Sequence, residues 1–217
     1  MRRPGRARRL EFRWLLPGLA LLAWWAFHEA DSGLFQWGAA RALAAAPAVR
    51  SVAPTPRAPR GSDSSLTAQR AATSRRVPPH GRRTLFGRVE IPRLGIRAMM
   101  TEGVDKQTLS RAIGHVPTTA RPGEPGNCAL AGHRDSFLRG LGGVRVDDVV
   151  RIVTATRTYE YRVEWTRIVD PHQVDVLDST ATRSLTLVTC YPFEFLGHAP
   201  QRFIVRAREV PLGWAAR

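Results

Sequence analysis

Three residues of this 217-residue chain have side chains and positions that could carry out covalent chemistry. Cys190 ends the strand-like run TLVTC, His133 ends the short apolar run NCALAGH, and Arg202 begins the run RFIVRAREV. If TLVTC and RFIVRAREV pair as antiparallel strands, Cys190 and Arg202 lie at the same edge of a sheet. His133 also ends a strand, so we expect the three side chains to converge at one end of the fold.

This combination of side chains is typical of enzymes that transfer acyl groups. A cysteine thiolate attacks a carbonyl carbon, while an imidazole supplies or takes the proton. An arginine is always charged and can hold a carbonyl oxygen or a developing oxyanion. Each residue alone has a simpler explanation, because a free cysteine is usually a small buried hydrophobe and Arg202 is one of 32 arginines. Only the joint pattern favours a Cys/His acyl-transfer enzyme.

The chain contains only two cysteines, Cys128 and Cys190. Neither belongs to a C-x-x-C motif or to a Cys/His cluster with zinc spacing, so neither a disulfide framework nor a structural metal is predicted. Cys128 lies in a run typical of a buried strand, which predicts a core residue. The alternative is a redox disulfide between Cys128 and Cys190 in an oxidising compartment.

Positive charge is concentrated in the N-terminal part of the chain. Residues 1–83 contain 15 arginines and four acidic residues, a net charge of +11, whereas residues 84–217 carry only +4. A nucleic-acid-binding domain needs its basic residues on a folded surface. The distribution therefore argues against a nucleic-acid partner.

The N-terminus has the features of a membrane-targeting segment. Residues 1–13 are basic, with six arginines before Trp14, and residues 14–30 begin with the 14-residue apolar run WLLPGLALLAWWAF. That run is shorter than the ~20 residues of a spanning helix and is typical of a short anchor or of the apolar part of a signal peptide. No suitable cleavage site follows, which favours an uncleaved anchor. The positive-inside rule then predicts a cytoplasmic N-terminus at the inner membrane, with the rest of the chain on the periplasmic side.

Residues 31–83 connect this anchor to the rest of the protein. The stretch LFQWGAARALAAA, residues 34–46, predicts an amphipathic helix that lies on the membrane. Residues 47–83 are rich in Pro, Ala, Arg, Ser and Thr and contain few large apolar residues. Such a composition cannot bury a core and predicts a flexible linker.

Residues 84–217 contain about seven short strand-like runs, and the longest pair, within residues 148–169, predicts a hairpin that turns near Ala155 to Arg157. Two short helices are predicted, one over residues 104–114 with Asp105 as its N-cap and one over residues 135–141 with Asp135 as its N-cap. Many short strands with little helix predict an all-β barrel or sandwich.

Several segments of this domain resemble the sortase family. TLVTC matches the TLxTC signature, AGHRDSF is similar to the segment that carries the family's histidine, and PQRFIVRA is similar to the segment that carries its arginine. These motifs occur in the family's order over residues 84–210. IPRLGI and GHVPTTARPGEPGN resemble class D sortases. The YPF that follows Cys190, the short length and the N-terminal anchor are most similar to sortases of Gram-negative bacteria.

The resemblance implies an eight-stranded β-barrel and a membrane-anchored cysteine transpeptidase. Cys190 would be the nucleophile, and His133 the general acid for the leaving amine and then the base for the incoming one. Arg202 would hold the substrate carbonyl and the oxyanion. Thr189 would help to position the substrate or the oxyanion hole.

The family's substrates are proteins with an LPxTG-like C-terminal sorting signal, which an amine acceptor receives after a thioacyl-enzyme forms. His115 and His198 flank the predicted site and are candidates for substrate contact, with a loop or surface role as the alternative. No cofactor is expected. Some sortases bind calcium through loop carboxylates, but no matching set of acids can be assigned here.

Two other functions are compatible with parts of this pattern. A cysteine protease or amidase would use the same Cys190 and His133 but would release its product to water. A non-enzymatic β-barrel that serves envelope assembly would not need Cys190 at all, and it leaves the three ordered motifs unexplained.

Overall fold

A computed structural model of the protein describes residues 7–45, 85–194 and 197–214. Its eight strands are β1 (Leu85–Ile91), β2 (Ile96–Glu102), β3 (Ile113–His115), β4 (Asn127–Ala131), β5 (Val149–Thr154), β6 (Thr158–Val169), β7 (Ser184–Tyr191) and β8 (Gln201–Val210). They form a closed barrel in the order β1-β2-β3-β4-β7-β8-β6-β5. The predicted eight-stranded barrel is therefore confirmed. The predicted linker, residues 47–83, lies outside the described residues.

Most neighbouring strands are antiparallel, but β2 with β3 and β4 with β7 are parallel. The hairpin of β5 and β6 turns at residues 155–157, as the sequence predicts. The parallel pairing of β4 and β7 matters most for function, because the C-terminal ends of parallel strands meet at the same rim of a sheet.

Side chains of the barrel strands alternate between the interior and the outer face. On β7, Leu185 and Leu187 belong to the interior core and are fully buried. Burial of a leucine side chain stabilises a fold by about 2 kcal/mol. Val188, between them and the end of the strand, packs instead on a small outer cluster of Val169, Val176 and Ile204. The two faces of β7 thus serve two separate apolar clusters.

The helices of the barrel domain are shorter than the sequence predicts. Helix α2 covers only Lys106–Leu109, although Asp105 caps it as expected by accepting hydrogen bonds from the amides of Gln107 and Thr108. Ile113 joins β3 instead of the helix, because it pairs with Met100 of β2 in the barrel. The predicted helix over residues 135–141 was also wrong. That region forms turns and a 3-10 helix, Arg139–Gly143, and no side chain caps it.

A single long helix, α1 (Ala7–Ala45), precedes the barrel. It contains the apolar segment and the predicted amphipathic helix up to Ala45, with no break in the helix between them. Pro17 lies inside the helix, beyond its first turn, where proline lacks the amide hydrogen for one intrahelical hydrogen bond. Among the described helices, none has an 18-residue stretch apolar enough to cross a bilayer.

The C-terminal half of α1 is attached to the barrel by side chains. The amide of Gln36 donates to the carbonyl oxygen of Arg111 and accepts from the backbone amide of Met99, both at 2.7 Å. Met99 and Arg111 lie just before the first paired residues of β2 and β3. Asp31 accepts two hydrogen bonds from the Arg111 guanidinium, at 2.7 and 3.1 Å. Gln36 therefore extends the hydrogen-bond ladder between β2 and β3.

Candidate active site

Cys190 and His133 occupy equivalent positions on neighbouring strands. The last pair in the parallel register of β4 and β7 is Ala131 with Val188, and each of the two residues lies two positions beyond it. The amide of Gly132 donates to the carbonyl oxygen of Val188 at 3.1 Å, which extends the pairing toward His133. Since adjacent strands lie about 4.8 Å apart, the register brings the thiol and the imidazole to one rim.

Arg202 lies directly opposite Cys190 in the antiparallel register of β7 and β8. Side chains of directly opposed residues share one face of the sheet, with Cβ atoms about 5 Å apart. One guanidinium nitrogen of Arg202 donates to the carbonyl oxygens of Ala199, at 3.2 Å, and Gln201, at 2.9 Å. The structure thus brings Cys190, His133 and Arg202 together, as the sequence predicts.

The site continues the outer face of the barrel. Val188, two residues before Cys190, and Ile204, two residues after Arg202, form the next directly opposed pair on the same face. Both belong to the outer apolar cluster, which is covered by residues 170–183 and their 3-10 helix Val174–Leu177. A ligand at Cys190 would therefore have an apolar strip along one side.

The Thr189 side chain does not lie on the face of the sheet that carries Cys190. Its side chain is buried, and its hydroxyl donates to the carbonyl oxygen of Gly132 at 2.8 Å. Thr189 and Cys190 alternate along β7, so their side chains point to opposite faces. The hydroxyl of Thr189 supports the backbone just before His133, and its expected help in positioning the substrate or the oxyanion hole stays a prediction.

His115 is also placed away from the site. It lies on β3, directly opposite Leu130 of β4. Leu130 precedes His133 by three residues in the sequence, and His115 is 1% exposed. Its Nδ1 lies 2.9 Å from Glu102 Oε1, and its Nε2 lies 3.0 Å from the carbonyl oxygen of Ala120. The expected substrate contact is corrected, because both ring nitrogens are already engaged inside the barrel.

His198 is exposed in the loop between β7 and β8. The loop connects the strand that ends near Cys190 with the strand that begins near Arg202. A role for His198 in substrate contact stays a prediction.

Cys128 belongs to the interior core and is 1% exposed. Burial, with smaller contributions from Glu124 and Glu102, raises the pKa of its thiol. Its partner in the β4–β7 register is Leu185, five residues before Cys190, which corresponds to about 16 Å along a strand. A disulfide requires Cα atoms within about 7 Å. The alternative of a Cys128–Cys190 disulfide is therefore incompatible with this fold.

Sequence reasoning missed two arginines near the site. Arg134, which follows His133, donates from Nη1 to the carbonyl oxygen of Pro192 and from Nη2 to that of Gly197, both at 2.9 Å. Arg206 is buried on β8 and donates to the carbonyl oxygen of Val176 at 2.8 Å. Nothing in the sequence distinguishes either residue from the other arginines.

Arg206 belongs to a buried polar network beneath residues 170–183. It donates to the Ser184 hydroxyl at 3.2 Å, and its guanidinium carbon lies 5.4 Å from the centroid of the Trp165 ring. Burial lowers the pKa of Arg206. Asn127 also donates to the carbonyl oxygen of Val176, at 3.2 Å, and accepts from the Thr186 hydroxyl at 2.7 Å. These contacts hold the covering segment next to the groove.

A cavity of about 620 Å³ lies at the other end of the barrel, where β7 begins and β8 ends. Its lining contains Tyr159, Glu160, Arg183, Arg208 and Glu209, but no cysteine or histidine. No cluster of three or more His, Cys, Asp or Glu side chains suited to a metal ion occurs in the described parts of the chain. The chemistry therefore assigns the candidate site to the rim with Cys190.

Comparisons with known proteins agree with this geometry. The family model for the sortase domain matches residues 89–210, more than half of the chain. Sortase D of Bacillus subtilis is 32% identical over 125 residues, which cover 57% of this chain and 63% of the relative. Sortase A of Listeria monocytogenes is 28% identical over 113 residues, 49% of each chain. The chain thus spans less than two thirds of the length of these relatives.

Solved structures show the same fold. A sortase D transpeptidase of Clostridium perfringens superimposes with a TM-score of 0.53 at 29% identity, over 58% of this chain and 79% of that one. Sortase A from Corynebacterium diphtheriae gives a TM-score of 0.57 at 26% identity, over 61% and 64% of the two chains.

Proposed function

Because this chain belongs to the sortase family, we propose that it is a cysteine transpeptidase with Cys190 as its nucleophile. The observation that carries the proposal is the register of three strands. It sets Arg202 directly opposite Cys190 and sets His133 at the equivalent position of the parallel neighbour. A thiol, an imidazole and a guanidinium at one rim are the groups that acyl transfer requires.

The reaction proceeds in two steps. The reactive pair is the Cys190 thiolate beside a protonated His133. The sulfur attacks the carbonyl carbon of the scissile amide, and the carbonyl oxygen becomes an oxyanion next to Arg202. His133 gives a proton to the leaving amine, the carbon–nitrogen bond breaks, and a thioester remains on Cys190. An acceptor amine then attacks the thioester, His133 takes its proton, and the thiolate leaves. The net result is the exchange of one amide bond for another.

Typical magnitudes assign a share of the rate enhancement to each group. A positioned general acid or base contributes about 10²- to 10⁴-fold, which is the contribution expected from His133. A single oxyanion donor contributes about 3 to 4 kcal/mol of transition-state stabilisation, which is the contribution expected from Arg202.

The proposed substrates are proteins with an LPxTG-like C-terminal sorting signal. Val188 and Leu177 are partly exposed apolar residues of the outer cluster beside the site. A substrate with an apolar residue a few positions before the scissile bond would bury that residue against them. The acceptor is an amine, whose chemical source the groove does not specify.

We further propose that α1 attaches the enzyme to the inner membrane, with the N-terminus in the cytoplasm and the barrel on the periplasmic side. Six arginines precede Trp14, and Leu19, Leu21, Leu22 and Trp24 are all more than half exposed on the helix. Exposed apolar side chains in such a row call for an apolar cover. Carbonate extraction and protease protection of a C-terminal epitope test this, with Leu21→Glu/Leu22→Glu as the disrupting variant.

Mass spectrometry of the full-length protein tests the catalytic proposal. The protein is mixed with a panel of LPxTG-like peptides and triglycine, with Cys190→Ala as the control. We expect an acyl adduct on Cys190 and a peptide ligated to triglycine. Hydrolysis without ligation would favour the cysteine amidase. Absence of any adduct from folded, reduced protein would count against a sortase-type substrate and favour the non-enzymatic role.

A further inference from the structure

The loop between β7 and β8 is attached at both ends to residues of the proposed site. Near its start and its middle, the carbonyl oxygens of Pro192 and Gly197 accept hydrogen bonds from the Arg134 guanidinium, both at 2.9 Å. At its end, the carbonyl oxygens of Ala199 and Gln201 accept hydrogen bonds from Arg202. Arg134 is the chain neighbour of His133. One loop therefore links the segment of the histidine to the guanidinium opposite the cysteine.

The chemistry of Arg134 suits a clamp. A guanidinium is planar and presents its donors in a fixed geometry, so two carbonyl oxygens bound to it keep a fixed separation. Gly197 has a φ of 95°, a conformation that residues with a side chain rarely adopt. Glycine at this position allows the loop to take the conformation in which its carbonyl meets Arg134.

The loop also has an apolar attachment that does not depend on Arg134. The rings of Phe193 and Phe203 pack with their centroids 5.4 Å apart, and Tyr191 lies 6.0 Å from Phe193. Phe193 lies so close to Gly142 that an added Cβ there would be 2.9 Å from the ring. These contacts anchor the start of the loop, so the barrel should fold without Arg134, while Gly197 loses its attachment to the segment of His133.

We propose that Arg134 is a positioning residue, which clamps the β7–β8 loop and thereby sets His133 and the Arg202 guanidinium relative to Cys190. The inference rests on the proposed transpeptidase function. It goes beyond that function because it makes the rate depend on Arg134, whose guanidinium binds carbonyl oxygens of the loop. A displacement of about 1 Å in a catalytic group can lower a rate by roughly 10²-fold.

The test compares three variants of the full-length protein. Arg134→Met keeps the length of the side chain and removes its donors, whereas Arg134→Lys keeps the charge but cannot span both carbonyls in one plane. Arg139→Met is the matched control, because Arg139 is an exposed arginine of the neighbouring 3-10 helix. We expect kcat to fall by about 10- to 100-fold in Arg134→Met, with KM within about twofold of wild type. Arg134→Lys should recover part of kcat, and Arg139→Met should match wild type.

Several outcomes would overturn the proposal. Equal kcat values for Arg134→Met and Arg139→Met would show that the clamp is not needed, and a change in KM alone would indicate substrate contact instead of positioning. Thermal melting reports folding. If Arg134→Met does not fold, Arg134→Gln, which retains donors for one carbonyl at a time, must show the same loss of kcat.

A second readout separates this inference from the proposed function. The rate at which iodoacetamide alkylates Cys190 at neutral pH needs no peptide substrate, and buried Cys128 provides an internal reference. Inactivity of the wild type toward every peptide would refute the proposed function alone. Slower alkylation of Cys190 in Arg134→Met than in Arg139→Met would still support the clamp, and equal rates would refute it.

Discussion

Cys190 on β7 and Arg202 on β8 are directly opposed partners in an antiparallel register, and both side chains belong to the outer face of the barrel. The β-sheet itself therefore fixes the backbone positions of the proposed nucleophile and the cation. The guanidinium is then oriented by the carbonyl oxygens of Ala199 and Gln201, next to the start of β8. A cation held in this way can stabilise an oxyanion without reorganisation during the reaction.

Replacement of Arg202 should affect the chemical step. We expect Arg202→Met to lower kcat by about 10²- to 10³-fold, because the oxyanion loses its charged partner, while KM changes little. Steady-state kinetics with a peptide substrate measures both constants. Arg208→Met is the matched control, since Arg208 lies on the same face of β8 at the opposite end of the strand, opposite Ser184. A comparable loss in both variants would argue for a general effect on the barrel.

Replacement of His115 should affect stability instead of catalysis. His115→Ala removes a buried side chain and its hydrogen bonds to Glu102, which keeps its ion pair with Arg121, and to Ala120, which should lower the free energy of unfolding by about 2 kcal/mol. Urea denaturation measures this change. The exposed His198 serves as the comparison, because His198→Ala should leave stability unaltered. A loss of kcat in folded His115→Ala would contradict the structural role.

The hydroxyl of Thr189 should stabilise the segment before His133. Thr189→Val removes the hydrogen bond to Gly132 but keeps the shape of the side chain, and we expect a loss of about 1 kcal/mol in the free energy of unfolding. Thr189→Ser retains the hydroxyl and should lose less. Chemical denaturation of both variants decides the matter. If serine were the more damaging replacement, the methyl group and its packing would be the important part.

Acid should weaken the attachment of Arg93 to Asp148. Arg93 donates to both carboxylate oxygens, and this hydrogen bonding chiefly lowers the pKa of Asp148. Because the pKa is lower in the folded chain, the carboxylate stabilises the fold above its unfolded pKa of about 3.9. That stabilisation is lost as the pH falls through the folded pKa. Asp148→Asn should therefore melt below wild type at pH 7, with a smaller difference at pH 3.

Asp147→Asn is the control for this pH dependence. Asp147 is exposed and has a φ of 74°, which asparagine also tolerates. Its replacement should change the melting temperature little at either pH. A difference between wild type and Asp148→Asn that stayed constant from pH 7 to pH 3 would refute the contribution of the ion pair.

Local patterns were sufficient to predict most of the strands, although not β3, and to place three residues at one rim. Alternating apolar residues and turn residues predict β5 and β6, and the ends of TLVTC and NCALAGH predict where Cys190 and His133 meet. These features can be read from short stretches of sequence, because the apolar pattern of a strand stops where the strand ends.

Features that depend on distant pairing were not predictable. Ile113 and His115 belong to β3 only because β2 and β4 lie on either side of it, and the same pairing buries the His115 ring. Arg134 and Arg206 find their carbonyl partners across more than 25 residues of chain. An arginine-rich sequence gives no local sign of which guanidinium is buried or clamped.

Gln36 of α1 makes the two backbone-directed hydrogen bonds that a residue of a neighbouring strand would make at the end of the β2–β3 pair. Through one side-chain amide, it occupies the donor and the acceptor that β2 and β3 present to each other where their backbones diverge. β3 in turn holds β4 through only two registered pairs, Gly114 with Ala131 and His115 with Leu130. A shortened protein that begins at the barrel would therefore lack these two hydrogen bonds where β2 and β3 diverge, two strands from the proposed nucleophile. Its activity would measure the enzyme without its N-terminal brace.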